Sequence, residues 1–148
     1  MKRFRFPLSG VQRVREEETK GEQRKLAHHH RVESQAREKL EDAKKAEGKG
    51  METARRQLTQ QDNAWEVHQG RRHLEDLQYQ RRTAAQGVTD SEKRTGQARQ
   101  EFQEAERREK ILERLRDRRY SEFVRFILRD EQKEMDEFAS QQFRRRAA

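Results

Sequence analysis

The sequence has no cysteine, a single proline and no long hydrophobic run. The absence of cysteine excludes disulfide bonds and thiolate metal sites, and it suits a reducing compartment. Since the one proline is Pro7, no proline interrupts a helix that begins after it. A membrane-spanning helix needs about 20 apolar residues in succession, and a secretory signal needs an apolar segment after its basic start. Neither is present, so we expect a cytoplasmic protein.

Large hydrophobic residues are also scarce. Leu, Ile, Val and Phe together supply 24 of 148 residues, while 43% of the chain is charged. That balance alone would indicate disorder. However, about half of the chain is Ala, Glu, Lys, Leu or Arg, a composition typical of coiled coils. A long helical hairpin or an intermolecular coiled coil is therefore favoured over a globular core.

The longest regular segment extends from about Asn63 to Phe143 and predicts one long helix. Starting at Leu74, steps of three and four residues define a heptad seam in which some positions are polar. Its members are Leu77, Arg81, Ala84, Val88, Ser91, Thr95, Ala98, Phe102, Ala105, Glu109 and Leu112. The same register continues over Arg116 and Arg119 to Phe123 and Phe126.

The first part of the chain predicts a second, less regular helix. Phe4, Leu8, Val11 and Val14 share one face, and Ser9 with Gln12 forms a possible capping box, so this helix should begin between Pro7 and Gly10. The apolar pattern nearly vanishes from residue 15 to 31. It returns at Val32, Ala36, Leu40, Ala43, Ala46, Met51, Ala54 and Leu58.

Residues 59–63 break both patterns, and Asn63 is a good N-cap for the following helix. We therefore predict an all-α fold, a single antiparallel two-helix coiled-coil hairpin spanning residues 1–148. Its parts are helix one at about 8–58, a turn at about 59–63 and helix two at about 63–143. A turn at Gly48–Gly50, or one at Gly70, is the alternative.

A turn near residue 60 would place Leu8 opposite about residue 112, so the longer second helix would overhang the first. The overhang contains the most concentrated apolar run of the chain, and no intramolecular partner is expected to cover it. Exposed aromatic surface of this density usually marks a binding site. The run comprises Tyr120, Phe123, Val124, Phe126, Ile127, Leu128, Met135 and Phe138.

Charge makes a nucleic-acid-binding protein worth considering, because the net charge is +8. The charges nevertheless alternate along the chain. Segment 111–129 is rich in Arg, segment 130–137 is acidic, and Arg144–Arg146 follow. We interpret these as blocks rather than a continuous basic stripe, which suits a protein partner of mixed charge.

No arrangement of residues predicts catalysis or a cofactor. His28, His29 and His30 point about 100° apart on a helix and cannot converge on one metal ion. His68 and His73 are five residues apart, which misses the spacing of helical ligand pairs. We expect no enzyme activity, no catalytic, cofactor or metal residue, and no small-molecule substrate.

Three segments resemble the flagellar export protein FliJ and its injectisome counterpart, the YscO stalk family. Residues 4–14 (FRFPLSGVQRV) look like the family's N-terminal F-x-F-x-L pattern, and residues 73–77 (HLEDL) resemble its stretch after the hairpin tip. The most specific segment is 130–139 (DEQKEMDEFA), which is similar to the family's C-terminal signature. The resemblance covers essentially the whole chain.

The resemblance implies a non-catalytic stalk that inserts into a hexameric FliI-like export ATPase and promotes its assembly and hydrolysis. It also implies contact with a FlhA-like export gate, handling of export chaperones and peripheral association with the inner membrane. The ATPase-binding residues would be Phe4, Leu8, Val11, Tyr120, Phe123, Phe126, Ile127, Met135 and Phe138. The gate-binding residues would be Trp65, His73, Leu74 and Leu77, while the helix-one gate positions fall on Lys39, Ala43, Ala46 and Gly50.

Two other functions remain open at this point. The chain could be the injectisome stalk of the same family, or a basic coiled-coil protein that binds nucleic acid. We expect no nucleic-acid partner, because the basic residues do not form a continuous stripe.

Overall fold

Two long helices make up the structure, a computed structural model that describes residues 3–59 and 63–147. Helix α1 spans Ser9–Thr59 and helix α2 spans Ala64–Ala147, with no strand among the described residues. The predicted all-α hairpin with a longer C-terminal helix is confirmed. Residues 60–62 of the predicted turn lie outside the described residues. Gly48 and Gly50 lie inside α1 and Gly70 lies inside α2, so the alternative turn positions are wrong.

The start of α1 differs from the prediction in one detail. The backbone N–H of Gln12 donates to the carbonyl of Leu8 at 2.9 Å, and Ser9 N–H donates to Phe6 at 3.2 Å. Leu8 therefore takes the N-cap position, and the predicted Ser9–Gln12 capping box is not formed. The Gln12 side chain instead donates to Glu16 Oε1 at 3.0 Å. Before α2, the Asn63 carbonyl accepts the Val67 N–H at 3.2 Å, as expected of an N-cap.

Contacts divide the chain into two compact units, a central unit of residues 20–103 and a terminal unit of residues 1–19 and 104–148. In the central unit, the seam predicted for α2 faces α1. Leu77, Ser91, Thr95 and Ala98 are buried, and the other seam positions from Leu74 to Phe102 are half-buried. The heptad pattern therefore describes the packed face of α2 in this unit.

The packed face of α1 in the central unit includes polar residues that the apolar pattern did not identify. Steps of three and four residues connect Glu22, Leu26, His29, Glu33, Ala36, Leu40, Ala43, Glu47, Gly50, Ala54 and Gln57, all of them buried or half-buried. Met51 and Leu58 are instead 40% and 69% exposed, so their assignment to this face was wrong by one residue. The steps of three and four residues continue through the polar residues of α1. They bring Gly50 and Gln57, and not Met51 and Leu58, to the positions that face α2.

Three contacts fix the antiparallel register of the central unit. Arg81 Nε lies 2.7 Å from Glu47 Oε2, and Arg37 NH2 lies 2.9 Å from Glu92 Oε1. A Cβ atom added to Gly50 would lie only 2.6 Å from Leu77 Cδ1, so the leucine packs directly onto the glycine backbone. Residue i of α1 therefore lies opposite about residue 128 − i of α2.

In the terminal unit, Phe6, Gln12 and Ala105 are buried, while Glu109 and Leu112 are half-buried. The predicted seam ends there, because Arg116 and Arg119 are exposed. Their assignment to the seam was wrong. Leu115 is half-buried next to Arg116, so the packed face of α2 moves by one residue within this unit.

No helix in the described ranges 3–59 and 63–147 is long and apolar enough to cross a membrane.

Candidate protein-binding surfaces

The first residues of the chain cover part of the aromatic run near the C-terminus. The Phe4 ring lies 5.4 Å from the Tyr120 ring, edge to face, and 5.6 Å from the Phe123 ring, measured between centroids. The expectation that no intramolecular partner covers this run is therefore wrong for Tyr120 and Phe123. The segment before α1 continues alongside α2, where Phe4, Arg5 and Pro7 line a shallow groove with Arg119, Glu122, Phe123 and Phe126.

Much of the run is nevertheless exposed, and Tyr120 itself is 53% exposed. We define the distal aromatic surface as Phe126, Ile127, Leu128, Met135 and Phe138. Phe126 is 53% exposed, Met135 68% and Phe138 64%, and Ile127 is half-buried. In the same unit, Leu8 and Val11 of α1 are also exposed. Large apolar residues are scarce in this chain, so several exposed ones on one segment of a helix are unusual.

Acidic side chains border the distal aromatic surface. One shallow groove is lined by Arg3, Phe123, Val124, Ile127, Leu128, Asp130, Glu131 and Glu134. A second is formed within α2 alone by Glu131, Glu134, Met135 and Phe138. Each groove combines apolar side chains with carboxylates, so a partner that fits them presents apolar and basic groups together.

The four predicted gate-binding residues fall into two groups. Trp65 is 66% exposed and His73 is also exposed, so both are available to a partner. Leu74 is half-buried, and Leu77 is buried against Gly50 at 8% exposure. Leu77 consequently supports the hairpin, and its side chain is not accessible while the two helices stay together.

The helix-one gate positions are similarly divided. Ala43 and Ala46 are half-buried in the packed face, whereas Lys39 is exposed. Lys39 lines a groove between the helices together with Val32, Gln35, Ala36, Tyr79, Gln80, Thr83, Ala84 and Gly87. Tyr79 is 67% exposed at this groove. Sequence reasoning missed it because it lies outside the heptad seam; a large aromatic residue off the seam was the signal that could have found it.

The histidine tract does not form a metal site in the described part of the chain. His28 and His30 are exposed, His29 is half-buried in the packed face, and no group of three potential ligands comes together in the described part of the chain. A hydrogen bond from Lys44 holds the pKa of Glu41 below its usual range, and Glu22 raises the pKa of Lys25 in the same way. Both are ordinary pairs at the protein surface.

The structure is an all-α hairpin that exposes several large aromatic side chains. The profile of one family, described as "Flagellar FliJ protein", matches residues 4–148. This chain belongs to the FliJ family and is thus a component of the flagellar export apparatus, which fits a non-catalytic role. No match was found among curated proteins or among solved structures.

Proposed function

We propose that this protein is a stalk-like adaptor of the flagellar export apparatus, and that its terminal unit inserts into a hexameric FliI-like ATPase. Insertion would promote assembly of the ring and ATP hydrolysis. The observation that carries the proposal is the distal aromatic surface, which stays exposed although the rest of the hairpin is highly polar. A lumen formed by several subunits can surround such a helix and bury aromatic side chains on more than one side.

The N-terminal segment belongs to the same binding unit. Phe4 packs on Tyr120 and Phe123, which holds the segment beside α2, and leaves Leu8 and Val11 exposed nearby. We therefore assign Phe4, Tyr120 and Phe123 to shaping the surface, and Phe126, Ile127, Met135 and Phe138 to contact with the ATPase. Truncation of one well-buried aromatic anchor typically costs about 2 kcal/mol or more.

At the hairpin tip, Trp65 and His73 would contact a FlhA-like export gate, with Leu74 beside them. Leu77 would act indirectly by keeping the two helices packed. The protein would also handle export chaperones, and would associate peripherally with the inner membrane through the apparatus while remaining in the cytoplasm. The exposure of Trp65 and His73 supports this assignment of ends.

Measurement of ATPase stimulation tests the proposal with two matched double variants. Phe126→Ala with Phe138→Ala should abolish stimulation and leave helicity nearly unchanged, because both side chains are largely exposed. Two lost anchors correspond to about a thousandfold loss in affinity. Trp65→Ala with His73→Ala should preserve stimulation and weaken binding to the gate protein. The opposite pattern would show that the ends are inverted, and unchanged stimulation in both variants would exclude a stalk function.

A further inference from the structure

Five exposed arginines form a row along the terminal unit of α2: Arg107, Arg114, Arg118, Arg125 and Arg129. Their spacing of 7, 4, 7 and 4 residues is an 11-residue repeat. Eleven residues make slightly more than three full turns of an α-helix, and seven residues make slightly less than two, so all members return to nearly the same side. All five side chains fall within about 60° around the helix axis, over a length of about 33 Å.

The row contains no acidic residue. Between residues 107 and 129, the only other residue within its sector is Ile111, which is 63% exposed. Of the four carboxylates in this segment, Glu109 and Glu113 lie toward the packed side, Asp117 lies outside the sector and Glu122 lies at the edge of the row. The sequence predicted alternating charge blocks and no continuous basic stripe. That prediction was incomplete, because basic residues that are separated along the sequence form one row on the surface of the helix.

The arginines of the row also differ from neighbouring basic residues in their pairing. Arg108, Lys110, Arg116 and Arg119 each have an ion pair on α2, at distances of 3.6, 2.8, 3.2 and 3.2 Å. In the row, Arg118 lies 3.3 Å from Glu122. The other four have no ion pair or hydrogen bond within the described parts of the chain. Their guanidinium groups thus remain available to carboxylates of a partner.

The position of the row distinguishes between possible polyanions. Apolar side chains lie on several sides of α2 around the row. Tyr120 and Ile127 lie on the opposite side at the same level along the helix, and Phe126 and Leu128 lie about 70–90° away from the row. A helix that binds a membrane surface places its basic residues beside its apolar face, so that both reach the bilayer together. A planar membrane or a nucleic-acid duplex would cover one side of this helix only. A protein that encloses the helix covers both.

Building on the proposed function, we propose that the arginine row binds an acidic surface on the inner wall of the ATPase ring. The row and the aromatic side differ in chemistry, so together they fix the rotation of the helix inside the ring. Guanidinium groups suit this role because they pair with carboxylates through two parallel hydrogen bonds.

The test compares two triple variants of the full chain in binding to the purified export ATPase. The row variant carries Arg114→Gln, Arg125→Gln and Arg129→Gln. The control carries Arg108→Gln, Arg116→Gln and Arg119→Gln, which removes the same charge from the same helix outside the row. Glutamine and arginine have similar helix propensity, so both variants should keep their helicity by circular dichroism.

We expect the row variant to bind the ATPase about 10- to 100-fold more weakly, with a shallower dependence on salt, and the control to bind within about threefold of the unmodified chain. Equal weakening in both would indicate a net-charge effect and overturn the inference. If the unmodified chain binds and neither variant differs, only this inference fails; if the unmodified chain does not bind, the proposed function fails as well.

The same proteins are then mixed with phosphatidylglycerol vesicles and with duplex DNA. The inference requires that the row variant lose ATPase binding whether or not these polyanions bind. Loss of vesicle or DNA binding with unchanged ATPase affinity would assign the row to that polyanion and overturn the proposal.

Discussion

Gly50 offers a direct test of the hairpin register, because Gly48 provides a matched control two residues away. An added Cβ at Gly48 meets nothing within 4 Å, whereas at Gly50 it would lie 2.6 Å from Leu77 Cδ1 and 3.7 Å from Leu74 Cδ1. Replacing a helical glycine with alanine contributes up to about 1 kcal/mol at either position. At Gly50, Leu77 must also leave its preferred rotamer, at a cost of about 0.5–1.5 kcal/mol.

Gly48→Ala should therefore raise the free energy of unfolding by about 1 kcal/mol, and Gly50→Ala should leave it nearly unchanged. Substitution by leucine should increase the difference in stability between the two positions. Gly50→Leu overpacks the interface and should destabilise the protein by about 1–3 kcal/mol, while Gly48→Leu should not. Urea unfolding followed by circular dichroism measures both pairs. Equal stabilisation at the two positions would show that Gly50 does not face Leu77, and the antiparallel register that pairs these two residues would be incorrect.

Three further predictions concern stability. Arg81→Ala should destabilise the protein by about 1–2 kcal/mol, since the Glu47 carboxylate would remain in the packed face without its partner. Replacing both residues with leucine should restore stability or increase it. A double-mutant cycle that shows no coupling energy between the two residues would contradict their ion pair. Because the packed face contains many polar residues, the isolated chain should melt well below about 70 °C, and its melting temperature should rise when the ATPase is added. A sharp transition of the isolated chain above that temperature in calorimetry would contradict this prediction. Lys44→Gln should lower stability slightly at neutral pH and should have no effect at a pH below the lowered pKa of Glu41, since a carboxylate with a depressed pKa stabilises the fold only while it is ionised. A difference in stability between the variant and the unmodified protein that persists in acid would exclude the Lys44–Glu41 pair as its cause.

The hairpin was predictable because its main features are local. The α2 seam from Leu74 to Leu112 is a run of heptad positions, and a helix places such positions on one side whatever its partner is. Asn63 and the irregular residues before it mark the boundary between helices through capping chemistry. These features depend on only a few neighbouring residues.

The features that sequence reasoning missed depend on the partner helix or on the angle around a helix. Met51 and Gly50 differ by one position, and only packing against Leu77 shows that the glycine faces inward. Glu47 belongs to the packed face because Arg81 lies opposite, which its own chemistry does not indicate. The cover that Phe4 gives to Tyr120 depends on the path of the chain before α1, where no periodic pattern exists.

Residue type also does not show which of the predicted binding residues a partner can reach. Leu77 and Trp65 are both large and apolar, but the first is buried at 8% exposure and the second is 66% exposed. The distinction decides which residue can touch a partner. It requires the three-dimensional packing of both helices.

The most direct measurement of the central claim is position-specific photo-cross-linking to the export ATPase. A photoreactive phenylalanine analogue would replace Phe126 in the distal aromatic surface, and in a second protein Tyr79 in the central unit. Both side chains are well exposed, at 53% and 67%, so accessibility does not favour either position. We expect the analogue at position 126 to cross-link to the ATPase and the analogue at position 79 to give no product. Cross-linking from position 79 with none from position 126 would contradict insertion of the terminal unit into the ring.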